Sequence, residues 1–525
     1  MKENKKIFLI VFLNLLIAIG FYTTHKNAGF TSLVSDVHSI VGIAQKFDNP
    51  QLFKEDLFLN TLENVKYYTP FFVQPLRFIA SFTNYDYVQA LNVMSFILHF
   101  FYGLLWFMLF YKVAKNFWLS LLMSLLIRGI IWLPGYEIWG ISGIWTTMPR
   151  TVYIVFMPVF LLILFHFREK YIWLSAFLAG LIFNFHPITG LGGIIIYLTI
   201  IGYSYFLNKA IIKKPLQKAA VILSSIIIGM LPFILTYFGK TSSVLDYDLT
   251  IYQKALDARL SNDFFDPILY LKSWWRISTL FFIVPLLLYF IISFYKKEEF
   301  KRALLLVLIT IILLIIPNLS VYVESYLNFL LDRNFRISFQ FIRLQKLAIL
   351  PAYFALLFLI LLLKPKKYYW PILLISFCLI ISISNNYAFN KIPVVGDDIV
   401  RSILPNSLNV YDRSSSKNEE MEFMLNFIRK NTPEEAVFYG PEIIRSATKR
   451  SVVLDTKGAS ILIEGNPEQF SNWYLEKKHF ENLSSQIDKI RFLQEKKVTY
   501  IVDYGNRFDS LMPIKIINTL KLYKL

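Results

Sequence analysis

Eleven apolar runs of 15 to 23 residues recur in this 525-residue chain, at 7–22, 89–111, 116–134, 151–167, 171–186, 188–207, 219–237, 276–295, 303–317, 346–363 and 370–387. About 17–25 apolar residues cover a hydrocarbon core of about 30 Å. Inside that core every backbone polar group needs an internal partner, so runs of this length have to be helical. The expected fold is therefore mainly α, a polytopic transmembrane helical bundle of about eleven helices over residues 1–387, with a large first outer loop at 23–88. Composition agrees, since 17% of residues are charged, against about a quarter in soluble domains.

The net charge of +18 is placed unevenly. With the N-terminus inside, the N-terminal tail and the short inner connections carry 18 basic residues against four acids, +14 of that +18, whereas loop 23–88 has five basic residues and six acids. This is the positive-inside pattern. It predicts a cytoplasmic N-terminus in a plasma-membrane protein and accounts for the basic charge without nucleic acid, which is not expected as a partner. The opening MKENKK and its apolar run can be read as a signal peptide or as a first helix; TTHKNAGF offers no clean cleavage site and favours the helix. The lone Cys378 excludes an intrachain disulfide or a cysteine-based metal site.

The unequal outer loops (23–88, 238–275 and 318–345) put the expected chemistry on the outer face. Residues 388–525 are expected to form a separate extracytoplasmic α/β domain, which contains the short linker RSSSKNEE at 413–420. Within it, 418–431 and 484–497 have helical spacing, while AVFYG, SVVLD and VTYIVDYG read as strands of a small parallel or mixed sheet. No glycine-rich phosphate cradle separates strand from helix, so no nucleotide site is expected there.

Loop 23–88 begins SDVHSIVGIAQKF. Asp36 is a candidate general base at the interface, with His38 two residues on, and Ile40, Val41 and Ala44 form an apolar stripe expected to lie along the membrane surface. The competing reading makes Ser35 or Asp36 a helix N-cap. Glu55 and Asp56 read as solvated loop acids. Arg150, with Arg333, Arg336 and Arg343, could grip phosphate oxygens through planar guanidinium forks, or could snorkel and pair with acids such as Asp332. His186 precedes a proline and three glycines in NFHPITGLGG, where irregular backbone at membrane depth would line a cavity; a satisfied structural histidine is the plainer reading. Arg128 falls inside a run and Glu137 follows it, a second carboxylate or a partner for Arg128 or Arg150. Asp36 and His38 supply two ligands, fewer than a defined metal site needs. No cofactor is expected, and a divalent metal is only weakly supported.

A first helix, a large outer loop opening on an acid, many further helices and an outward C-terminal domain resemble the GT-C glycosyltransferases. The stretches NPQLFKEDLFLN and YYTPFFVQPLRFIASF are similar to the amphipathic part of that loop in bacterial members. NFHPITGLGG and FIRKNTPEEAVFYGPE…KRSVVLDTKG resemble a subgroup of GT-C-like bacterial proteins. The resemblance implies a GT-C-like core and transfer of a sugar from a polyprenyl-phosphate-linked donor to a glycan, lipid or protein acceptor of the cell envelope, at the outer face of the membrane lipid. It makes Asp36 the catalytic base and His38, Glu137, Arg150, His186, Arg336 and Arg343 candidates for substrate binding. The chain departs from the family in having His38 where many members carry a second acid. The rival readings are a transporter or flippase of lipid-linked glycans and a non-catalytic envelope protein. The first would show inverted repeats and several intramembrane charges, and neither is visible.

Overall fold

The computed structural model describes residues 3–33, 35–65, 70–129, 144–167, 170–207, 215–238, 247–260, 266, 277–331, 338–362, 369, 371–372, 418–505 and 507–525. The chain divides into a helical unit (Met1–Lys26, Asn92–Leu235 and Asn262–Arg413) and a second unit drawn from three stretches, Asn27–Leu91, Thr236–Ser261 and Ser414–Leu525.

Seven helices among the described residues are long and apolar enough to cross a membrane: Glu3–Thr23, Tyr87–Ala114, Pro149–Phe167, Pro187–Leu207, Pro215–Tyr237, Lys297–Leu331 and Ser338–Leu362. Phe117–Ile127, Ile172–Phe183 and Ile283–Ser293 are shorter apolar helices. The fold is thus mainly helical and consistent with a membrane protein. The first ten apolar runs fall on these helices, and the eleventh lies almost wholly outside the described residues. One boundary differs from expectation. Residues 318–331, read as outer loop, continue the Lys297–Leu331 helix through Pro317. Proline removes one backbone donor, a loss that apolar helices tolerate once neighbouring groups satisfy the freed carbonyl.

Small residues bring the helices of this unit together. A Cβ on Gly180 would meet the Ile226 carbonyl, and one on Gly229 the Phe177 carbonyl, so the Ile172–Phe183 and Pro215–Phe238 helices touch backbone to backbone. Asn184 follows directly. Its Oδ1 accepts from the Phe233 amide at 2.8 Å, and its Nδ2 donates to the Gly229 carbonyl at 2.8 Å. In an unbroken helix Phe233 would donate to Gly229 itself. The Asn184 amide is therefore spliced into the backbone ladder next to Pro232. The glycines of NFHPITGLGG have a related use. From Pro187 the backbone is regular helix rather than the irregular segment expected, because proline is a favourable first helical residue. Gly192 lies against Leu347, and Gly193 against the Tyr153 hydroxyl.

The second unit is built on a five-stranded sheet of order β2-β1-β3-β5-β4, with β1 Val437–Tyr439, β2 Ser451–Val453, β3 Tyr500–Tyr504, β4 Pro513–Ile517 and β5 Leu520–Lys524. β1 pairs in parallel with β2 and β3, and β5 pairs antiparallel with β3 and β4. The mixed sheet and its first three strands match expectation, as do helices Glu419–Asn431 and Gln486–Glu495. The β4–β5 hairpin, helix Pro467–Asn482 and the short helix Ile443–Thr448 are additional. Met421, Met424, Leu425 and Ile428 of the first tail helix pack with Phe438, Val452, Tyr500 and Val502 of the strands, burying one face of the sheet.

Candidate functional site

Asp36 occupies the first turn of helix Ser35–Asp48, where the backbone amides favour a negative charge. Its side chain is 56% exposed and lies 4.0 Å from the Lys457 ammonium. His38 is only 5% exposed, because residues two apart on a helix face different sides. The two side chains therefore do not converge on a common ligand. His38 Nδ1 lies 2.8 Å from Ser446 Oγ of helix Ile443–Thr448, and the Gln45 amide donates to the Ser446 carbonyl at 2.7 Å. Burial lowers the His38 pKa to about 4, with the Arg445 charge adding to the effect and the Leu33 carbonyl opposing it. Val37, Ile40, Val41 and Ala44 are fully buried in this packing. The stripe expected to rest on the membrane surface is instead buried within the protein, where helix Ser35–Asp48 packs against helices Pro70–Ser81 and Ile443–Thr448. Helical periodicity marks a face as buried without naming what covers it.

The reading of Asp56 as a solvated acid is overturned. Its carboxylate is 0% exposed and accepts Arg445 Nε at 2.6 Å, the Val452 amide at 3.0 Å and the Phe58 amide at 3.0 Å. Arg445 is also buried and donates through Nη2 to Asp455 at 2.5 Å and to the Val452 carbonyl at 3.0 Å. One guanidinium thus joins the first loop to strand β2. Burial pushes the Asp56 carboxyl upward and Arg445 opposes that push. Lys46 is enclosed by the same loop and donates to the carbonyls of Pro50, Leu52 and Asn60 at 2.7, 2.7 and 3.2 Å. Its pKa is lowered by burial, and the Asp56 charge holds it up. Glu55 does face solvent, where it pairs with Lys497 at 3.0 Å. Thr31 to Glu422, Asn64 to Gln469 and Tyr252 to the Ile463 carbonyl add further ties from the two loops to the tail.

A cleft of about 390 Å³ opens in this unit at the carboxyl ends of the parallel strands. Its walls are Tyr439 to Glu442 after β1, Val453 to Lys457 after β2, Val502, Tyr504 and Arg507 at β3, and Lys477 from helix Pro467–Asn482. Lys457, the residue nearest Asp36 in charge contact, is part of that wall.

In the helical unit three of the expected residues come together. His186 sits in the turn before helix Pro187–Leu207, near enough to Arg150 and Arg343 that both positive charges bear on its ring. Its Nδ1 accepts from the Thr189 amide at 3.2 Å and lies 2.7 Å from Thr189 Oγ1, so His186 caps the helix it precedes. Arg150 follows the N1 proline of helix Pro149–Phe156, and Arg343 opens the 3-10 turn Arg343–Ala348. Packing at Gly192 and Gly193 is what brings these three helix ends together. Glu137, Arg333 and Arg336 lie outside the described residues, as does the side chain of Arg128. Among the described residues no group of three or more His, Cys, Asp or Glu side chains is arranged to hold a metal ion.

No protein-family model matches the chain, and no curated protein matches it in sequence.

Proposed function

We propose that this protein is a GT-C-type glycosyltransferase of the plasma membrane, with about eleven helices, a cytoplasmic N-terminus and an extracytoplasmic C-terminal domain. The sugar comes from a polyprenyl-phosphate-linked donor, and the acceptor belongs to the cell envelope. The observation that carries this reading is the mounting of Asp36. Its carboxylate is open to solvent at the first turn of a helix whose opposite face is locked by His38, Gln45 and the Arg445 network. A general base needs both access to its substrate and a fixed position. The transfer balances simply. The Asp36 carboxylate takes the acceptor hydroxyl proton while the acceptor oxygen bonds to the anomeric carbon. The bond from that carbon to the phosphate oxygen breaks, and its electron pair leaves with the polyprenyl phosphate. Arg150 and Arg343, both near His186, supply the helical unit with two guanidinium groups suited to an anionic lipid phosphate.

The experiment is Asp36→Asn in the full-length protein, assayed for transfer from a polyprenyl-phosphate sugar. A loss of about 10²-fold or more is expected when a general base is removed. Undiminished transfer by a folded Asp36→Asn protein would eliminate Asp36 as the base.

A further inference from the structure

The tail's strands run in the order β2-β1-β3, with both pairings parallel. The connection leaving β1 goes to one side of it, and the connection leaving β2 returns to the other. Such a reversal opens a crevice beyond the carboxyl ends of the strands, where open α/β sheets take ligands. The 390 Å³ cleft lies at this point. Gly440 helps to form it, since a Cβ there would press on Val502 and Ile444.

We propose that this cleft binds a small phosphate-bearing molecule through Lys457, Lys477 and Arg507. The three cations arrive from three different elements, as convergent recognition of one anion requires. One neighbouring carboxylate is engaged inward, and a second anchors Arg507 itself. Asp455 accepts from Arg445 at 2.5 Å and from the Gly458 amide at 2.5 Å. Asp503, fully buried, accepts Arg507 Nε at 2.5 Å and the Arg507 amide at 3.1 Å and is also paired with Arg507 Nη2, which fixes the guanidinium while the Arg507 side chain stays 63% exposed. Lys477 Nζ is held 2.5 Å from Thr456 Oγ1. Glu442 is the other acid of the wall, and Asp36 stands beyond Lys457. The turn after β1 reads Gly440–Pro441, and proline has no N–H to offer. Recognition therefore falls to side-chain cations rather than to a backbone amide cradle, which fits a terminal phosphate better than a dinucleotide pyrophosphate. Leu454, in the wall, has φ +60°, a conformation bulky L-residues seldom adopt outside functional loops. Tyr439 and Tyr504 offer ring surfaces to the organic part of the ligand.

The phosphate could reside on a soluble ester or on a lipid headgroup, and two arms separate these sources. Full-length protein in phosphatidylcholine nanodiscs is titrated with sn-glycerol 3-phosphate, and hydrogen exchange is read at 439–442 and 453–457. A second preparation contains phosphatidylglycerol and no soluble ester. Saturable protection in the first arm assigns the site to a soluble phosphate ester, and protection in the second alone assigns it to lipid. In either case the double variant Lys457→Ala/Lys477→Ala is expected to weaken binding by about a hundredfold, since each lost charge-assisted bond is worth about a decade. Unchanged exchange in β1 and β3 certifies that the variant is folded, and Arg507→Gln serves as an independent variant. No protection in either arm, or equal binding by all variants, overturns the proposal. Asp36→Asn protein is expected to bind undiminished, so failure of the transfer reading and failure of this one give different results.

Discussion

Replacing Asp56 with Asn would strand a buried guanidinium. In the native protein Arg445 is fixed between Asp56 at 2.6 Å and Asp455 at 2.5 Å, all three out of contact with water. Asparagine keeps the shape and one acceptor oxygen but removes a full charge. Breaking a buried pair from one side costs about 3–5 kcal/mol, and the retained amide oxygen puts this change near the lower figure. At about 1.4 kcal/mol per decade, about 3 kcal/mol is roughly a hundredfold shift in the opening equilibrium. The Val452 amide reports it directly, because it donates to Asp56 Oδ2 at 3.0 Å. Hydrogen exchange of peptides covering 54–60 and 450–455 in the intact protein should accelerate by about that factor, while helices of the other unit keep their rates. Arg445→Met should be worse, since it strands two carboxylates rather than one cation. Its penalty should shrink on acidification as Asp56, whose carboxyl burial pushes upward, takes up a proton. Native exchange at Val452 in Asp56→Asn would refute the claim that this network holds the first loop to the tail.

Three further outcomes are expected. His38 has a folded pKa of about 4 against an ordinary 6.5, so the unfolded chain binds more protons between these values. The second unit should therefore be fully stable above about pH 6.5 and lose up to about 3 kcal/mol as pH falls towards 4, and His38→Gln should flatten that dependence in pH-resolved denaturation. Gly193→Ala places a methyl on the Tyr153 hydroxyl and should lower the melting temperature of the detergent-solubilised protein, with overpacking costing about 1–3 kcal/mol; Tyr153→Phe should restore part of the loss. Asn184→Ala removes both bonds into the Pro215–Phe238 helix and should cost about 1 kcal/mol, read as faster exchange at the Phe233 amide.

What was legible in the sequence was whatever one segment could declare alone. Apolar length located the helices, and alternation bounded by turns located β1, β2 and β3. The start of helix Ser35–Asp48 was visible in SDVHS, with Asp36 in its first turn. Partners were not legible. Asp56 looks like any loop acid until Arg445 meets it from 389 positions away. The stripe of Ile40, Val41 and Ala44 announced an apolar face but not that protein rather than membrane surrounds it. The cleft cations were missed for the same reason, since Lys457, Lys477 and Arg507 share no motif and meet only through the sheet order. Residues 318–331 carry polar and aromatic side chains that end the apolar run, yet the backbone continues as one helix through Pro317.

The second unit also imposes a schedule on biosynthesis. Asp56 needs Arg445, and Glu55 needs Lys497, 389 and 442 residues downstream. At about 5–20 residues per second, the first loop waits on the order of 20–80 s for its partners to be made. Throughout that interval Asp56 has no guanidinium to pair with and His38 and Gln45 lack their partner at Ser446. Assembly of this unit is thus a late event, gated by completion of the chain. A ribosome that stops before Ser414 releases a protein whose defect lies at the other end, in a loop translated in full and left without a place to fold.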